Sequence, residues 1–300
     1  MRPSSTLLLV LGLSSTLTAC GGEARSQASA SPVVETTVAE PQYESIEQFE
    51  SAAIKRDVPY VPTPQETVDE MLRLAQVSRD DLVYDLGSGD GRIVITAAKK
   101  HGARGVGIDI DPTRIEEANE NARTAGVTDK VKFVQGDLFN ADLGQATAVT
   151  LYLLRSVNLR LRPKLLAELR PGTPVVSHDF DMGEWAPDDH KRVGDDDIYL
   201  WIVPAKVDGN WQWKDAAGRS IVATIEQEFQ TFTGTARADG DRYNLRNGRI
   251  NGAEVSFELV RAGDETAPVL ERYAGKLANG AIQGRITAGN RQAAWLAKHD

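Results

Sequence analysis

The sequence predicts an α/β protein: an open, mostly parallel sheet with helices on both faces, followed by a small antiparallel β-domain. Apolar residues 82–86 have strand composition and lead through three glycines into residues spaced for one helix face, 93–98. Strand and helix patterns then alternate to about residue 180. Beyond about Lys214 only strand-type alternation and Asn-Gly turns recur.

The glycines after the first strand predict a ligand site. Such a turn brings backbone N–H groups and a helix N-terminus to the carboxyl end of a parallel strand. The spacing, acid-x-G-x-G-x-G from Asp85 to Gly91, differs from the G-x-G-x-x-G of dinucleotide sites. Residues 105–109 read as the next strand and end in a second acid, Asp109. The alternative, a turn without a ligand, does not account for Asp109.

This pattern resembles the first motif of class I S-adenosylmethionine-dependent methyltransferases. The resemblance implies a Rossmann-like, seven-stranded sheet, S-adenosylmethionine as cofactor, and methyl transfer as the reaction. It also implies that Asp109 binds the two ribose hydroxyls. The glycine turn would lie under the methionine moiety, and the cofactor-binding residues in and before the turn would be Asp85, Gly87, Ser88, Gly89 and Gly91.

The composition of the chain limits the classes of molecule that it is expected to bind. The 300 residues are 41% hydrophobic, enough for a folded core, with a net charge of −9 and a sequence pI near 5.1. Nonspecific nucleic-acid binding depends on clustered Lys and Arg. We therefore expect no nucleic-acid partner.

The N-terminus has the pattern of an export signal. Arg2 precedes an apolar run, 7–13, that is too short to span a bilayer. Leu17-Thr18-Ala19-Cys20 resembles the lipobox of bacterial lipoproteins, in which the cysteine is lipidated, and Cys20 is the only cysteine. The resemblance implies a lipid-anchored protein of the cell envelope, with glycines at 21 and 22 favouring the periplasmic face of the outer membrane. The alternative is an uncleaved leader with an incidental cysteine.

These patterns predict four segments. Residues 1–19 form the lipoprotein signal peptide, and residues 20–42, rich in Ser, Ala, Thr, Glu and Pro, form a flexible tether. Residues 43–214 form the methyltransferase domain, and 215–300 the β-domain.

A proline-rich stretch, 58–64, precedes the first domain helix, and prolines hold it extended. Together with residues 85–94 it resembles a narrower group, the protein-lysine methyltransferases that act on the c-ring protein of mitochondrial ATP synthase and on the adenine nucleotide translocase. This resemblance implies that Tyr60 and Thr63 close over the cofactor's methionine end, and it makes Tyr60 a catalytic candidate. The alternative is a rigid linker.

The later strands supply the remaining candidates. An acid after the third strand commonly binds the adenine amino group in class I methyltransferases, which implies this contact for Asp137, beside Leu138; the alternative is a helix-capping Asp. The fourth and fifth strands end near Tyr152 and at His178-Asp179, on the edge where active sites lie. We interpret these three as catalytic candidates, with His178 or Asp179 as proton acceptor; the alternative is ordinary polar strand-end residues.

The end of the chain is expected to be all β. Residues 181–197 read as an acidic surface loop, and 198–203 with 211–213 as a hairpin that completes the sheet. The stretches 245–252 and 277–284 look like two copies of one hairpin unit in a small barrel or sandwich. The role of this domain stays open between substrate docking, partner binding and stabilisation.

The leading hypothesis is methyl transfer from S-adenosylmethionine to a protein lysine. The fourth strand lacks the Asn-Pro-Pro-Tyr motif that base and glutamine methyltransferases use, whereas a deprotonated lysine needs mainly alignment. Two alternatives remain, a small-molecule methyltransferase and a non-catalytic lipid-anchored binding protein. No metal is expected, since the 4 histidines form no ligand spacing. Export of the protein conflicts with its use of S-adenosylmethionine, because this cofactor is made in the cytosol.

Overall fold

A computed structural model describes residues 60–264 and 266–300. The predicted signal peptide, lipidation site Cys20, tether and residues 43–59 lie outside these ranges. Within the described residues, no helix is long and apolar enough to cross a membrane. The helices are α1 Gln65–Leu74, α2 Arg92–Thr96, α3 Pro112–Ala125 and α4 Arg155–Glu168; a π-helical turn, Ala97–His101, continues α2.

The first part of the described chain forms a seven-stranded sheet. Its strands are β1 Leu82–Leu86, β2 Arg104–Asp109, β3 Val131–Gln135, β4 Ala148–Leu151, β5 Pro174–His178, β6 Asp189–Val193 and β7 Asp196–Ile202. Their order is β3-β2-β1-β4-β5-β7-β6. Strands β1 to β5 are parallel, and β7 pairs antiparallel with β5 and β6. This is the predicted Rossmann-like class.

Local chemistry explains these elements. Every residue of β4, at the centre of the sheet, is buried, which fits its continuous apolar run. Helix α3 starts where the Asp111 carboxylate accepts a hydrogen bond from the Thr113 backbone N–H, with Pro112 in the first turn. It ends at Gly126 in the left-handed conformation. The order of the strands along the sheet changes direction at β1 and β4, which are parallel neighbours, and this opens a crevice at their carboxyl ends.

Two predictions about the end of the sheet are wrong. The strand partner of β7 is β6, inside the segment predicted to be a surface loop. β6 is an edge strand with mostly exposed charged residues, so its sequence lacks the apolar alternation of a buried strand. Trp211 and its neighbours form β8, Gly209–Lys214, which pairs in the second domain. The domain boundary therefore precedes β8 rather than following Lys214.

The second domain is a closed antiparallel barrel of eight strands. Besides β8 it contains β9 Ser220–Glu228, β10 Thr231–Ala238, β11 Asp241–Asn251, β12 Glu254–Arg261, β13 Val269–Ala278, β14 Ala281–Ala288 and β15 Arg291–His299. Their order is β10-β11-β12-β13-β14-β15-β8-β9. Aromatic side chains fill the interior, where Phe257 stacks on Tyr273 at 4.6 Å between Trp213 and Trp295. The structure thus selects the barrel over the sandwich.

The two similar stretches of the barrel are not one repeated hairpin. Asn279, with φ of 52°, and Gly280 form the turn between β13 and β14. Asn247, with φ of 55°, instead lies inside β11, where the register with β12 shifts. A Cβ on Gly248 would meet the Phe232 carbonyl oxygen at 2.2 Å, so close strand approach requires this glycine.

The barrel contacts the sheet at the amino end of β5. The Ala205 backbone N–H donates to the Gly252 carbonyl at 2.8 Å, and Gly252 lies against Gly172, just before β5. Phe229 stacks on the buried Trp185 with ring centroids 6.2 Å apart. These contacts place the barrel at the edge opposite the carboxyl ends of the parallel strands.

Candidate functional site

A cavity of about 360 Å³ opens at the carboxyl ends of β1, β2 and β4. Its volume lies in the range of small-molecule sites. The predicted residues that line it are Tyr60, Thr63, Asp85, Gly87, Ser88, Gly89, Asp109, Asp137, Leu138 and Tyr152. Sequence reasoning missed several apolar or charged lining residues, among them Ile110, Arg114, Phe139, Leu153 and Phe180. All lining residues precede the barrel.

The glycine turn forms the floor of the cavity. Gly87 and Ser88 donate their backbone N–H groups to the Ile108 carbonyl at 2.8 and 3.0 Å. Gly89 has φ of 51°, and a Cβ there would lie 2.4 Å from the Tyr60 ring. Bare backbone at this position therefore lets Tyr60 cover the turn. Gly91 does not line the cavity; it caps α2 and lies against Phe133.

Ser88 presents an unused polar group. Its side chain is buried, and its hydroxyl oxygen has no hydrogen-bond partner within the described protein. Buried hydroxyls normally have a partner, because leaving one unpaired costs about 1–3 kcal/mol. Ser88 lines the cavity, but its hydroxyl oxygen is itself inaccessible and lies toward Gly107 of β2, so other atoms of the residue face a molecule bound there.

The half-buried Asp109 carboxylate is held in place by backbone. Oδ2 accepts from the Gly89 N–H at 2.8 Å, and Oδ1 accepts from the Asp111 N–H at 2.9 Å. Each carboxylate oxygen has a further lone pair. The carboxylate is thus oriented at the end of β2 and retains acceptor capacity for the hydroxyls of a ligand.

Asp85 lies beneath the turn rather than beside solvent. It is 2% exposed, and the Thr150 hydroxyl donates to its Oδ1 at 2.8 Å. Burial raises the pKa of Asp85 to about 7, while the Thr150 hydrogen bond acts in the opposite direction. A buried acid on a cavity wall that titrates near neutrality is typical of a functional site.

Arg92 attaches the N-terminal lead-in to the glycine turn. Its guanidinium forms a bidentate pair with Asp90, with Nη2 2.6 Å from Oδ2, and Nη1 donates to the Thr63 carbonyl at 2.8 Å. The Arg114 guanidinium lies 4.5 Å from the centre of the Tyr60 ring. These contacts hold Tyr60 and Thr63 over the cavity.

At the opposite end, Asp137 serves as a cap. Its Oδ1 accepts from the Phe139 N–H at 2.9 Å and starts a short 3₁₀ turn, Leu138–Asn140. The side chain is exposed and also lines the cavity. The structure therefore confirms the capping role of Asp137, while its contact with the adenine amino group stays a prediction.

A third group of candidates meets beside the cavity. Tyr152 stacks on His178 at 3.8 Å, and its hydroxyl lies 3.5 Å from Asp179 Oδ2. His178 is 1% exposed and does not line the cavity, so it cannot contact a ligand there directly. Burial, with the Asp179 charge, raises the pKa of the Tyr152 phenol. Tyr152 is the member of this group that faces the cavity.

Asp196 joins this group, and sequence reasoning missed it. Its Oδ2 lies 3.3 Å from His178 Nε2 and accepts from the Thr67 hydroxyl at 2.6 Å. It starts β7, which pairs with β5, so the fold brings it beside His178. Residues 195–197 are all Asp, so the sequence alone does not single out Asp196. Only the pairing of these strands identifies it.

The cavity fits S-adenosylmethionine, the cofactor implied by resemblance. The Asp109 carboxylate suits a pair of ribose hydroxyls, and the glycine turn lets a ligand approach the backbone closely. Acids line the walls, which suits a molecule that carries a positive sulfonium.

Comparisons with known proteins agree with this geometry. Residues 85–189 match the model of the ANTKMT methyltransferase domain. A protein-lysine N-methyltransferase of Saccharolobus islandicus is 48% identical over 151 residues, which are 49% of this chain and 94% of that protein. The adenine nucleotide translocase lysine N-methyltransferase of Mus musculus is 34% identical over 156 residues, 52% of this chain and 67% of that protein.

A solved structure also matches. It is described as an RNA methyltransferase from Salinibacter ruber in complex with S-adenosyl-L-homocysteine. The two sequences are 61% identical, the match covers 49% of this chain and 96% of the chain in that structure, and the TM-score is 0.48. The matches cover about half of this chain.

The Asp109 carboxylate is expected to control cofactor affinity. In Asp109→Ala, loss of charge-assisted hydrogen bonds of about 1.5–3 kcal/mol each weakens S-adenosylmethionine binding by about 10²-fold or more. Calorimetry measures this, with Glu120→Ala, an exposed acid of α3, as control. Asp109→Asn keeps the side-chain volume and separates lost charge from a disturbed turn. Equal affinity of wild type and Asp109→Ala would contradict the assignment.

Asp85 is expected to make cofactor binding pH-dependent. A cation near its carboxyl favours the ionised form, so the pKa falls on binding and a proton is released. Affinity for S-adenosylmethionine should rise by about tenfold between about pH 5.5 and 7.5, for a pKa decrease of about one unit, and then level off. Titrations of wild type and Asp85→Asn test this. An equally steep pH dependence in Asp85→Asn would exclude Asp85 as the source.

Proposed function

This chain belongs to the S-adenosylmethionine-dependent methyltransferase family of these relatives, and on that premise we propose that its methyl acceptor is a lysine side chain of a protein. The observation that carries the proposal is the tyrosine-lined end of the cavity, where Tyr152 and Phe180 lie next to Asp179. The match covers 94% of the Saccharolobus relative, and the name of that relative, protein-lysine N-methyltransferase, supports the same acceptor.

Charge at this end of the cavity favours a cationic acceptor. Acids outnumber Lys and Arg between residues 179 and 197, and the whole chain carries −9. A lysine ammonium is attracted to such a surface, whereas an RNA backbone is repelled. The long aliphatic stem of lysine also suits the aromatic walls formed by Tyr152 and Phe180.

The residues around Tyr152 can align the amine. When bound, S-adenosylmethionine supplies an electrophilic methyl group on a sulfonium, open to in-line attack by a neutral amine. The Tyr152 hydroxyl directs its proton toward Asp179 Oδ2, which leaves its oxygen lone pairs for an amine N–H. Its raised pKa keeps the phenol protonated, so Tyr152 orients the amine and the ammonium proton passes to water.

The acceptor class can be tested with radiolabelled cofactor. The purified protein is incubated with methyl-labelled S-adenosylmethionine and either envelope proteins or total RNA. We expect label in protein, sensitive to protease and recovered as methyllysine by mass spectrometry. Label recovered only in RNA, or only in small molecules, would overturn the lysine proposal while leaving the methyltransferase family assignment intact.

Tyr152→Phe is expected to slow transfer without weakening cofactor binding. Loss of one oriented hydrogen-bond acceptor should lower kcat by about tenfold or more, because the amine is then poorly aligned. The control is Tyr199→Phe, which removes a hydroxyl outside the cavity. If Tyr152→Phe changed only the KM for S-adenosylmethionine, Tyr152 would belong to the cofactor site instead.

We further propose that the protein acts in the bacterial envelope, anchored through lipidated Cys20. The lipobox-like Leu17-Thr18-Ala19-Cys20 supports this address, with 1–19 as signal peptide and 20–42 as tether. Such a tether reaches roughly 25 Å from the bilayer. The acceptor would then be a membrane-proximal protein, and methylation would depend on cofactor outside the cytosol.

Replacing Cys20 with Ser tests this address. Acyl chains anchor by roughly 0.8 kcal/mol per buried CH₂, so Cys20→Ser should move the protein from the membrane to the soluble fraction. Palmitate labelling and fractionation of bacteria expressing each form measure the change. Wild-type protein that is unlabelled and cytosolic would refute the lipoprotein proposal.

A further inference from the structure

The His178 ring has one satisfied nitrogen and one that is not. Nδ1 lies 3.1 Å from the Thr63 hydroxyl oxygen, in a buried contact between the lead-in and the end of β5. Nε2 is buried and has no hydrogen-bond partner among the described residues. The side chain is 1% exposed, so no bulk water reaches it. A buried nitrogen in this state requires an explanation.

Two carboxylates face that nitrogen. Asp179 Oδ2 lies 3.4 Å and Asp196 Oδ2 lies 3.3 Å from Nε2, and the three ligand atoms all lie within 4.8 Å of one another. Neither oxygen meets the geometry of a hydrogen bond to Nε2. The ring nitrogen is therefore close to both oxygens and makes a hydrogen bond with neither.

We propose that His178, Asp179 and Asp196 bind a divalent transition-metal cation, with Zn²⁺ as the best match. Zinc bonds to His nitrogen and carboxylate oxygen measure about 2.0–2.2 Å, so neighbouring ligands of a tetrahedral ion lie about 3.3–3.6 Å apart. The distances from Nε2 to the two carboxylate oxygens both agree with this separation. One imidazole and two carboxylates suit zinc, and water takes the fourth position.

The surroundings orient all three ligands. Thr63 contacts the far nitrogen of His178, the arrangement that fixes the ring of a metal-binding histidine. The Asp197 N–H donates to Asp179 Oδ1 at 3.0 Å, which leaves Oδ2 toward His178. The Thr67 hydroxyl donates to Asp196 Oδ2. Asp179 and Asp196 are partly exposed, so an ion can enter from solvent.

The site is separate from the cofactor cavity but touches its wall. His178 and Asp196 do not line the cavity, whereas Tyr152, stacked on His178, does. A bound ion joins the end of β5 to the start of β7 and fixes the ring against which Tyr152 packs. Binding requires neither S-adenosylmethionine nor an acceptor, so its test is independent of the proposed methylation.

Metal binding is measured on the purified protein after chelator treatment and dialysis. Calorimetry with Zn²⁺ should give about one ion per chain with micromolar or tighter affinity, and Zn²⁺ in excess should raise the Tm by several degrees. Mg²⁺, which prefers octahedral oxygen ligands, should bind far more weakly. Absence of stoichiometric Zn²⁺ binding would overturn the proposal.

Variants locate the ion. Asp196→Asn removes a ligand charge with little change in volume and should weaken Zn²⁺ binding by more than about tenfold, as should His178→Gln. The matched control is His190→Gln, which removes a second His–Asp pair on β6 and β7, 2.9 Å apart and exposed. His190→Gln should bind Zn²⁺ like wild type. Loss of binding in His190→Gln alone would place the ion elsewhere and refute this site.

Discussion

Two backbone hydrogen bonds to one carboxylate determine the shape of the candidate site. Asp109 accepts from the N–H groups of Gly89 and Asp111, and so joins the end of β2 to the turn after β1. Bonds of this charge-assisted type stabilise by roughly 1.5–3 kcal/mol each. The turn that they hold leaves the Ser88 hydroxyl unpaired and gives Tyr60 its place over Gly89. The cavity floor and its cover thus depend on the same acid.

The two acids of the first motif have opposite environments. Asp109 is half-buried with two backbone donors, whereas Asp85 is buried with one hydroxyl partner. Because burial raises the pKa of Asp85 to about 7, its protonated form contributes stability to the unliganded protein at acid pH. That contribution is lost as the pH rises through about 7. A cationic ligand offsets this loss, so the buried acid couples stability to occupancy.

Patterns local in sequence predicted most of the fold and many of the residues that line the cavity. The glycine turn, Asp109 and the cap at Asp111 follow from short motifs in which neighbours determine the conformation. The pairing of strands that are distant in the sequence could not be predicted from such local motifs. Trp211 alternates like a strand in either domain, and only its partners β9 and β15 place β8 in the barrel. Asp196 likewise reaches His178 only through the pairing of β7 with β5.

The position of the barrel has a consequence for access. Gly252 and Phe229 attach the barrel at the amino end of β5, while the cavity opens at the carboxyl ends of β1, β2 and β4. The five residues of β5 separate these two edges by roughly 17 Å. A molecule that occupies the barrel surface therefore leaves the mouth of the cavity open. Because a closed barrel has no free strand edge, such a molecule must recognise side chains and turns rather than add a strand.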